Sequence, residues 1–164
     1  DAKWKIIALV FLITAAFPVV VMLGMYRFGL VQTISMDRKE ERLYPYMATA
    51  IFFFIAYYLI YQINLSPVYY YCLLGASILA VLTLLINTIW KISAHTISVG
   101  AVLGAFVGLQ MVLHLDFIWY IAASILIGGA VGYARLRNGS HTQSQVYSGY
   151  LLGFIVMYGL IMYY

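Results

Sequence analysis

The chain has 164 residues, of which 65% are hydrophobic and only 9% are charged, and its mean hydropathy is +0.97. Soluble domains carry charges on about a quarter of their residues, so this composition excludes water as the main solvent of the chain. The formal charge of +4 comes from nine basic residues that form no stripe on a soluble surface, which argues against a nucleic acid partner. The single cysteine, Cys72, leaves no disulfide framework and no thiolate metal site.

The apolar stretches identify the fold class. Each is continuous over about 20 residues, the length of a membrane-spanning helix, whereas barrel strands alternate over about ten. Backbone polar groups must be paired within the hydrocarbon, and a helix pairs them inside one segment. We predict an all-α integral membrane protein, a bundle of six transmembrane helices that forms a single membrane domain over residues 1–164.

Charged residues mark the ends of the predicted spans, because one charge at the bilayer centre costs at least about 2.5–3.5 kcal/mol. In chain order we place the spans at about 5–28, 45–62, 67–88, 95–113, 117–134 and 142–163. The first has no small-residue cleavage site, so we expect it to be retained as a span. Glycines in the later spans predict close helix packing, at positions 100, 104, 108, 128, 129, 132, 149 and 153.

Polar residues gather at one predicted membrane face. Six spans place the loops near 29–44, 87–92 and 135–141 on the same side. Seven of the nine basic residues and two of the three histidines belong to it, namely Arg27, Arg38, Lys39, Arg42, Lys91, Arg135, Arg137, His95 and His141. His114 and Asp116 fall at the opposite face, where we expect a tight loop with a capping role.

The sidedness follows from the few charges that do not belong to this cluster. The positive-inside rule would make the basic face cytoplasmic, but the location of cations that bind a substrate does not indicate how the chain is oriented in the membrane. Lys3 and Lys5 remain, and they place the N-terminus inside. We therefore expect the basic face on the extracytoplasmic side of the inner (plasma) membrane.

Two predicted helices begin at the basic face, each with a histidine near its start. Ser93 is the predicted N-cap before His95. Ser140 or Asn138 is the predicted N-cap of the last span, beside His141. Helix N-termini offer N–H groups and a partial positive charge, so they favour phosphate or another compact anion.

Cations from two loops complete the predicted anion site. Arg135 and Arg137 offer forked donors suited to phosphate oxygens, and Arg38, Lys39 and Arg42 would close the site from the first loop. No metal ion or other cofactor is expected, because arginines and helix ends neutralise the phosphoryl oxygens.

The two histidines suggest phosphoryl transfer. His141 is the predicted nucleophile on phosphorus, provided that its ring is neutral at the attacking nitrogen and held at the other. Gln145 lies one helical turn further, where its amide oxygen would accept the second ring N–H. His95 would then donate a proton to the leaving oxygen as a general acid.

The spacing of these residues matches known motifs. Arg135, His141 and Gln145 follow the pattern Arg, five residues, His, three residues, Asp, with Gln in place of Asp. The run Ile92-Ser93-Ala94-His95 keeps the serine and histidine of Pro-Ser-Gly-His. On these motifs the chain resembles the type 2 phosphatidic acid phosphatase family, membrane enzymes that dephosphorylate lipid phosphates through a phosphohistidine.

The resemblance implies a set of phosphate-binding residues. It assigns Arg135, Ser93 and Ala94 to the substrate phosphate. The family's first motif has its nearest counterpart in residues 37–45, with Arg42 as phosphate ligand and Arg38 or Lys39 in place of the motif lysine. The resemblance covers about 30 residues, and the six-span layout extends it over the chain.

The resemblance implies a metal-independent phosphatase for a membrane lipid phosphate or diphosphate, working at the lipid bilayer. Two alternatives stay open. A lipid phosphotransferase would use the same histidine and hand the phosphoryl group to an acceptor other than water. A non-catalytic transporter or binding scaffold for anionic lipids would keep the anion site without turnover.

Overall fold

The computed structural model describes residues 2–29, 43–63 and 65–163, and within these ranges all regular secondary structure is helical. The elements in chain order are α1 Ala2–Phe11, a π-helical segment Leu12–Ala16, α2 Phe17–Arg27, α3 Leu43–Gln62, α4 Pro67–Ile89, α5 Ala94–Leu113, α6 Ile118–Arg137 and α7 Gln143–Met162.

Six helical stretches are long and apolar enough to cross a membrane, with α1, the π-helical segment and α2 counted as one stretch, Lys3–Arg27. The chain is therefore an all-α integral membrane protein with six candidate spans, as predicted. The predicted ends agree with the helix ends to within three residues. The largest difference lies in α6, which continues past position 134 because Arg135 and Arg137 in its last turn face the negative end of the helix dipole.

The chain divides into two compact units, Asp1–Thr88 and Ile89–Tyr164, each with three of the candidate spans. In the first unit, the π-helical segment ends two residues before Pro18. Proline lacks an N–H and its ring crowds the carbonyl four residues earlier, here that of Thr14, so the helix locally widens. The Ser77 hydroxyl of α4 donates to the Ala50 carbonyl of α3 at 3.0 Å and joins these two helices.

In the second unit, α5 and α7 pack backbone against backbone. A Cβ atom on Gly100 would overlap the carbonyl oxygen of Tyr150, and one on Gly153 would overlap that of Ile97. Only glycine permits such an approach, although each glycine inside a helix costs about 0.5–1 kcal/mol relative to alanine. Close packing is confirmed for seven of the eight predicted glycines; the described residues place nothing within 4 Å of a Cβ on Gly129.

The register of these contacts gives the direction of the helices. Residue numbers rise together along α5 and α7, in the pairs Thr96 with Gly149, Gly100 with Tyr150, Gly104 with Phe154 and Gly108 with Ile161. The two helices are therefore parallel. Between α6 and α7 the numbers run oppositely, since Gly132 lies beside Val146 and Gly128 beside Tyr150, so α6 is antiparallel to both.

The loop between α5 and α6 has the predicted capping role. Asp116 Oδ1 accepts the N–H of Ile118 at 2.9 Å, and Gln110 Oε1 accepts the N–H of Phe117 at 3.1 Å. His114 follows α5 with a φ of 52° and turns the chain there. We refer to Gln110, His114, Asp116 and Phe117 as the far end of the second unit.

Candidate functional site

Three helix ends meet at the other end of the second unit. The start of α5, the start of α7 and the last turn of α6 lie together, because α5 and α7 are parallel and α6 is antiparallel to them. This end, which we call the basic end, carries five of the residues singled out from sequence: Ser93, His95, Arg135, His141 and Gln145.

His95 interacts electrostatically with two other residues of the basic end. It is the second residue of α5 and is exposed, and the charges of Arg135 and of His141 both act on it. The parallel course of α5 and α7, with α6 antiparallel to both, brings the end of α6 and the start of α7 beside the start of α5. Arg135 is half-buried, whereas Arg137 is exposed.

His141 contacts Gln145 in the way that the spacing predicted. The ring Nδ1 of His141 lies 3.1 Å from Oε1 of Gln145, one turn further along. The same Oε1 accepts the main-chain N–H of Thr142 at 3.1 Å, and the main-chain N–H of Gln145 donates to the Thr142 hydroxyl at 3.5 Å. Thr142 and Gln145 thus form a capping box at the start of α7.

The predicted N-cap of α7 at Ser140 or Asn138 is wrong, because those two residues end α6 instead. The N–H of Gly139 donates to the carbonyl of Leu136 at 3.0 Å, and the N–H of Ser140 donates to that of Arg135 at 3.2 Å. Gly139 has a φ of 62°, so these two hydrogen bonds make a Schellman motif. The true cap, Thr142, was missed from the sequence, although the pattern Thr-x-x-Gln signals a capping box.

Ser93 occupies the predicted N-cap position of α5 but does not cap it. Its backbone is extended and its carbonyl accepts the N–H of Ile97 at 3.1 Å, while its side chain makes no capping bond. Ser93 is 0% exposed, and its Oγ has no hydrogen-bond partner among the described residues. A buried hydroxyl without a hydrogen-bond partner costs about 1–3 kcal/mol, so helix capping does not account for this side chain.

The remaining predicted ligands fall into two groups. Ala94 opens α5, where the first N–H groups of a helix have no partner within it. Arg38, Lys39 and Arg42, predicted to close the site from the first loop, lie outside the described residues.

A comparison of the chain with profiles of known protein families, with curated protein sequences and with solved structures finds no match. The candidate site is therefore defined by its own residues and their geometry. In the ranges that the structure describes, no group of three or more His, Cys, Asp or Glu side chains is placed to hold a metal ion.

Proposed function

We propose that the protein is a membrane lipid phosphate phosphatase, of the kind that the type 2 phosphatidic acid phosphatase motifs suggest. It would remove phosphate from a lipid phosphate or diphosphate through a phosphohistidine on His141, without a metal ion. The observation that carries this proposal is the contact of 3.1 Å between His141 Nδ1 and Gln145 Oε1, beside a second histidine and an arginine.

The first chemical step forms a bond between nitrogen and phosphorus. The Arg135 guanidinium and the N–H groups at the starts of α5 and α7 bind the phosphoryl oxygens and neutralise their charge. The Nε2 of His141 attacks phosphorus, the bond from phosphorus to the ester oxygen breaks, and His95 gives that oxygen a proton. Arg42 and either Arg38 or Lys39 would add ligands from the first loop.

The second step returns the enzyme to its starting state. A water molecule attacks phosphorus, the bond to His141 breaks, and His95 takes the proton of the water. Inorganic phosphate leaves as an anion, and His95 is protonated again and ready to act as an acid.

The position of the basic end favours a lipid substrate. Its residues lie at the ends of candidate spans, at the depth where lipid headgroups sit, so a phosphate reaches them while its tail stays in the hydrocarbon. Tyr133 and Tyr147, on α6 and α7 within about two turns of Arg135 and His141, are 63% and 65% exposed and suit the headgroup region.

One observation favours a rival function, an anionic-lipid binding or transport scaffold without turnover. Gln145 is neutral and also serves the cap of α7, so it supplies no negative charge to stabilise the imidazolium of His141 during phosphoryl transfer. A scaffold would lose only part of its affinity without His141, whereas a phosphatase would lose its nucleophile. A phosphotransferase would differ from both in its product, because the phosphoryl group would appear on an acceptor other than water.

The test is phosphate release from a panel of lipid phosphates and diphosphates by detergent-purified protein, with EDTA present. We expect release by the wild type and a loss of at least about 10³-fold in His141→Ala. The matched control is His114→Asn at the far end, because asparagine accepts the left-handed backbone there. Equal release by wild type and His141→Ala, or no release from any lipid, would contradict the proposal.

A further inference from the structure

One oxygen atom at the basic end serves two donors. Gln145 Oε1 lies 3.1 Å from the main-chain nitrogen of Thr142 and 3.1 Å from Nδ1 of His141. A carbonyl oxygen has two lone pairs, so both contacts can be hydrogen bonds at the same time. The amide of Gln145 therefore joins the cap of α7 to the ring of His141.

The main-chain N–H determines which end of the Gln145 amide faces these partners. An N–H can only donate, so the group opposite the nitrogen of Thr142 has to be the carbonyl oxygen. An amide turned over would set its NH₂ against the N–H of Thr142, with two donors facing each other and the bond lost. The orientation of this side chain thus follows from the backbone and not from the histidine.

The orientation of the amide in turn determines the proton on His141. An oxygen can only accept, so the hydrogen bond with Gln145 requires the hydrogen on Nδ1. In the neutral ring the lone pair then lies on Nε2. Histidine side chains in water favour the opposite form, with the hydrogen on Nε2, so the interaction has to overturn an intrinsic preference.

We propose that the main-chain N–H of Thr142 is a positioning group for His141, which holds the Gln145 amide so that the neutral ring carries its hydrogen on Nδ1. The catalytic consequence rests on the proposed function, because it makes Nε2 the attacking nitrogen. The position of the hydrogen on the ring does not depend on the proposed function, since it is a property of the resting protein. The helix carrying the cap is held in place by Gly149 and Gly153, which contact α5.

The direct test is ¹⁵N nuclear magnetic resonance of the full chain in detergent, labelled at its three histidines and measured at a pH where the rings are neutral. The His141 signals are assigned by their absence from His141→Ala. We expect one-bond coupling to hydrogen at Nδ1 and a lone-pair chemical shift at Nε2. A hydrogen on Nε2 in the wild type would overturn the proposal without reference to any variant.

Two substitutions of Thr142 separate its N–H from its hydroxyl. Thr142→Val keeps the N–H and removes the hydroxyl, and we expect it to keep the hydrogen on Nδ1. Thr142→Pro removes the N–H at a backbone φ of −82°, which proline accepts, and we expect the hydrogen to move toward Nε2. If Thr142→Pro does not fold, Gln145→Met removes the acceptor instead and should show the same shift.

Turnover provides the second readout. We expect Thr142→Pro to release phosphate about 10²-fold more slowly than Thr142→Val, because the attacking nitrogen is misplaced. An unchanged tautomer in a folded Thr142→Pro would overturn the proposal, and so would an unchanged tautomer in Gln145→Met if Thr142→Pro does not fold. A wild type with hydrogen on Nδ1 but no phosphate release would contradict the proposed function and leave the positioning role standing.

Discussion

The two ends of the second unit use the same chemistry for different purposes. At the far end, Gln110 Oε1 accepts one main-chain N–H and Asp116 Oδ1 accepts another, so both side chains serve only the start of α6. At the basic end, Gln145 Oε1 accepts a main-chain N–H and also contacts the ring of His141. A helix cap becomes part of a candidate reaction site when the oxygen that accepts the main-chain N–H has a second lone pair and lies within hydrogen-bond distance of a titratable ring.

The charge distribution separates the two ends as well. The basic end carries Arg135 and Arg137 in the last turn of α6, whereas the far end carries the carboxylate of Asp116 at the start of that helix. Both placements suit the dipole of α6, so each is explained by helix stability alone. The coupling of Arg135 to His95 is the feature that helix stability does not require.

Among the comparisons within the second unit, the largest effect is expected from Arg135 in the last turn of α6. Arg135→Lys should lower phosphate release about 10²-fold, because lysine lacks the planar fork that binds two phosphoryl oxygens. Arg137→Lys is the matched control, since Arg137 is exposed and the substitution keeps a cation in the same last turn. Steady-state rates on one lipid phosphate measure both, and an Arg135→Lys protein as active as Arg137→Lys would show that the planar fork at position 135 is not required.

The glycines of α7 test whether its contact with α5 holds the basic end together. Gly153→Ala should destabilise the protein by about 1–3 kcal/mol, because the new Cβ meets the backbone of α5 at Ile97. Gly159→Ala should be neutral or stabilising, since the described residues leave open space there. Reversible unfolding in mixed micelles compares the two; a Gly153→Ala protein as stable as Gly159→Ala would mean that the helices do not pack this closely.

The two capping glutamines provide the sharpest comparison between the ends. Gln145→Met and Gln110→Met should each cost about 1 kcal/mol of stability through loss of a cap. Only Gln145→Met should also lower turnover, by at least about 10-fold, because His141 loses the group that orients it. Thermal unfolding and phosphate release are measured on the same preparations, and a loss of turnover that follows stability in both variants would count against an orienting role.

The smallest effect is expected from Gln145→Glu. Glutamate has the length of glutamine, keeps both acceptor contacts at the start of α7, and adds the negative charge that would stabilise an imidazolium. Turnover should be retained or rise by a few-fold with no loss of stability. A collapse of turnover in a well-folded variant would show that neutrality at this position is required.

Much of the fold and one contact of the site were predictable because they depend on local physics. A charge in hydrocarbon is costly wherever it occurs, so charge-free stretches predicted helices whose ends agree with those of the six candidate spans to within three residues. The contact of His141 with Gln145 joins positions four apart on one helix, which lie on the same face in any α-helix. The cap at Thr142 also depends only on nearby residues, but Ser140 and Asn138 are equally good N-cap residues, and the prediction named them instead.

The remaining features were decided by tertiary structure. The sequence by itself determined the class of protein and the approximate bounds of its six long apolar helices, and it predicted the polar residues at one end of them. Only packing decided that α5 and α7 lie parallel with their backbones in contact, and that Ser93 is buried with a hydroxyl that finds no hydrogen-bond partner among the described residues. It also decided that the end of α6, with Arg135, lies beside the start of α5, with His95. These relations join residues far apart in the chain, and they arise because glycines on separate helices allow an approach that no local pattern encodes.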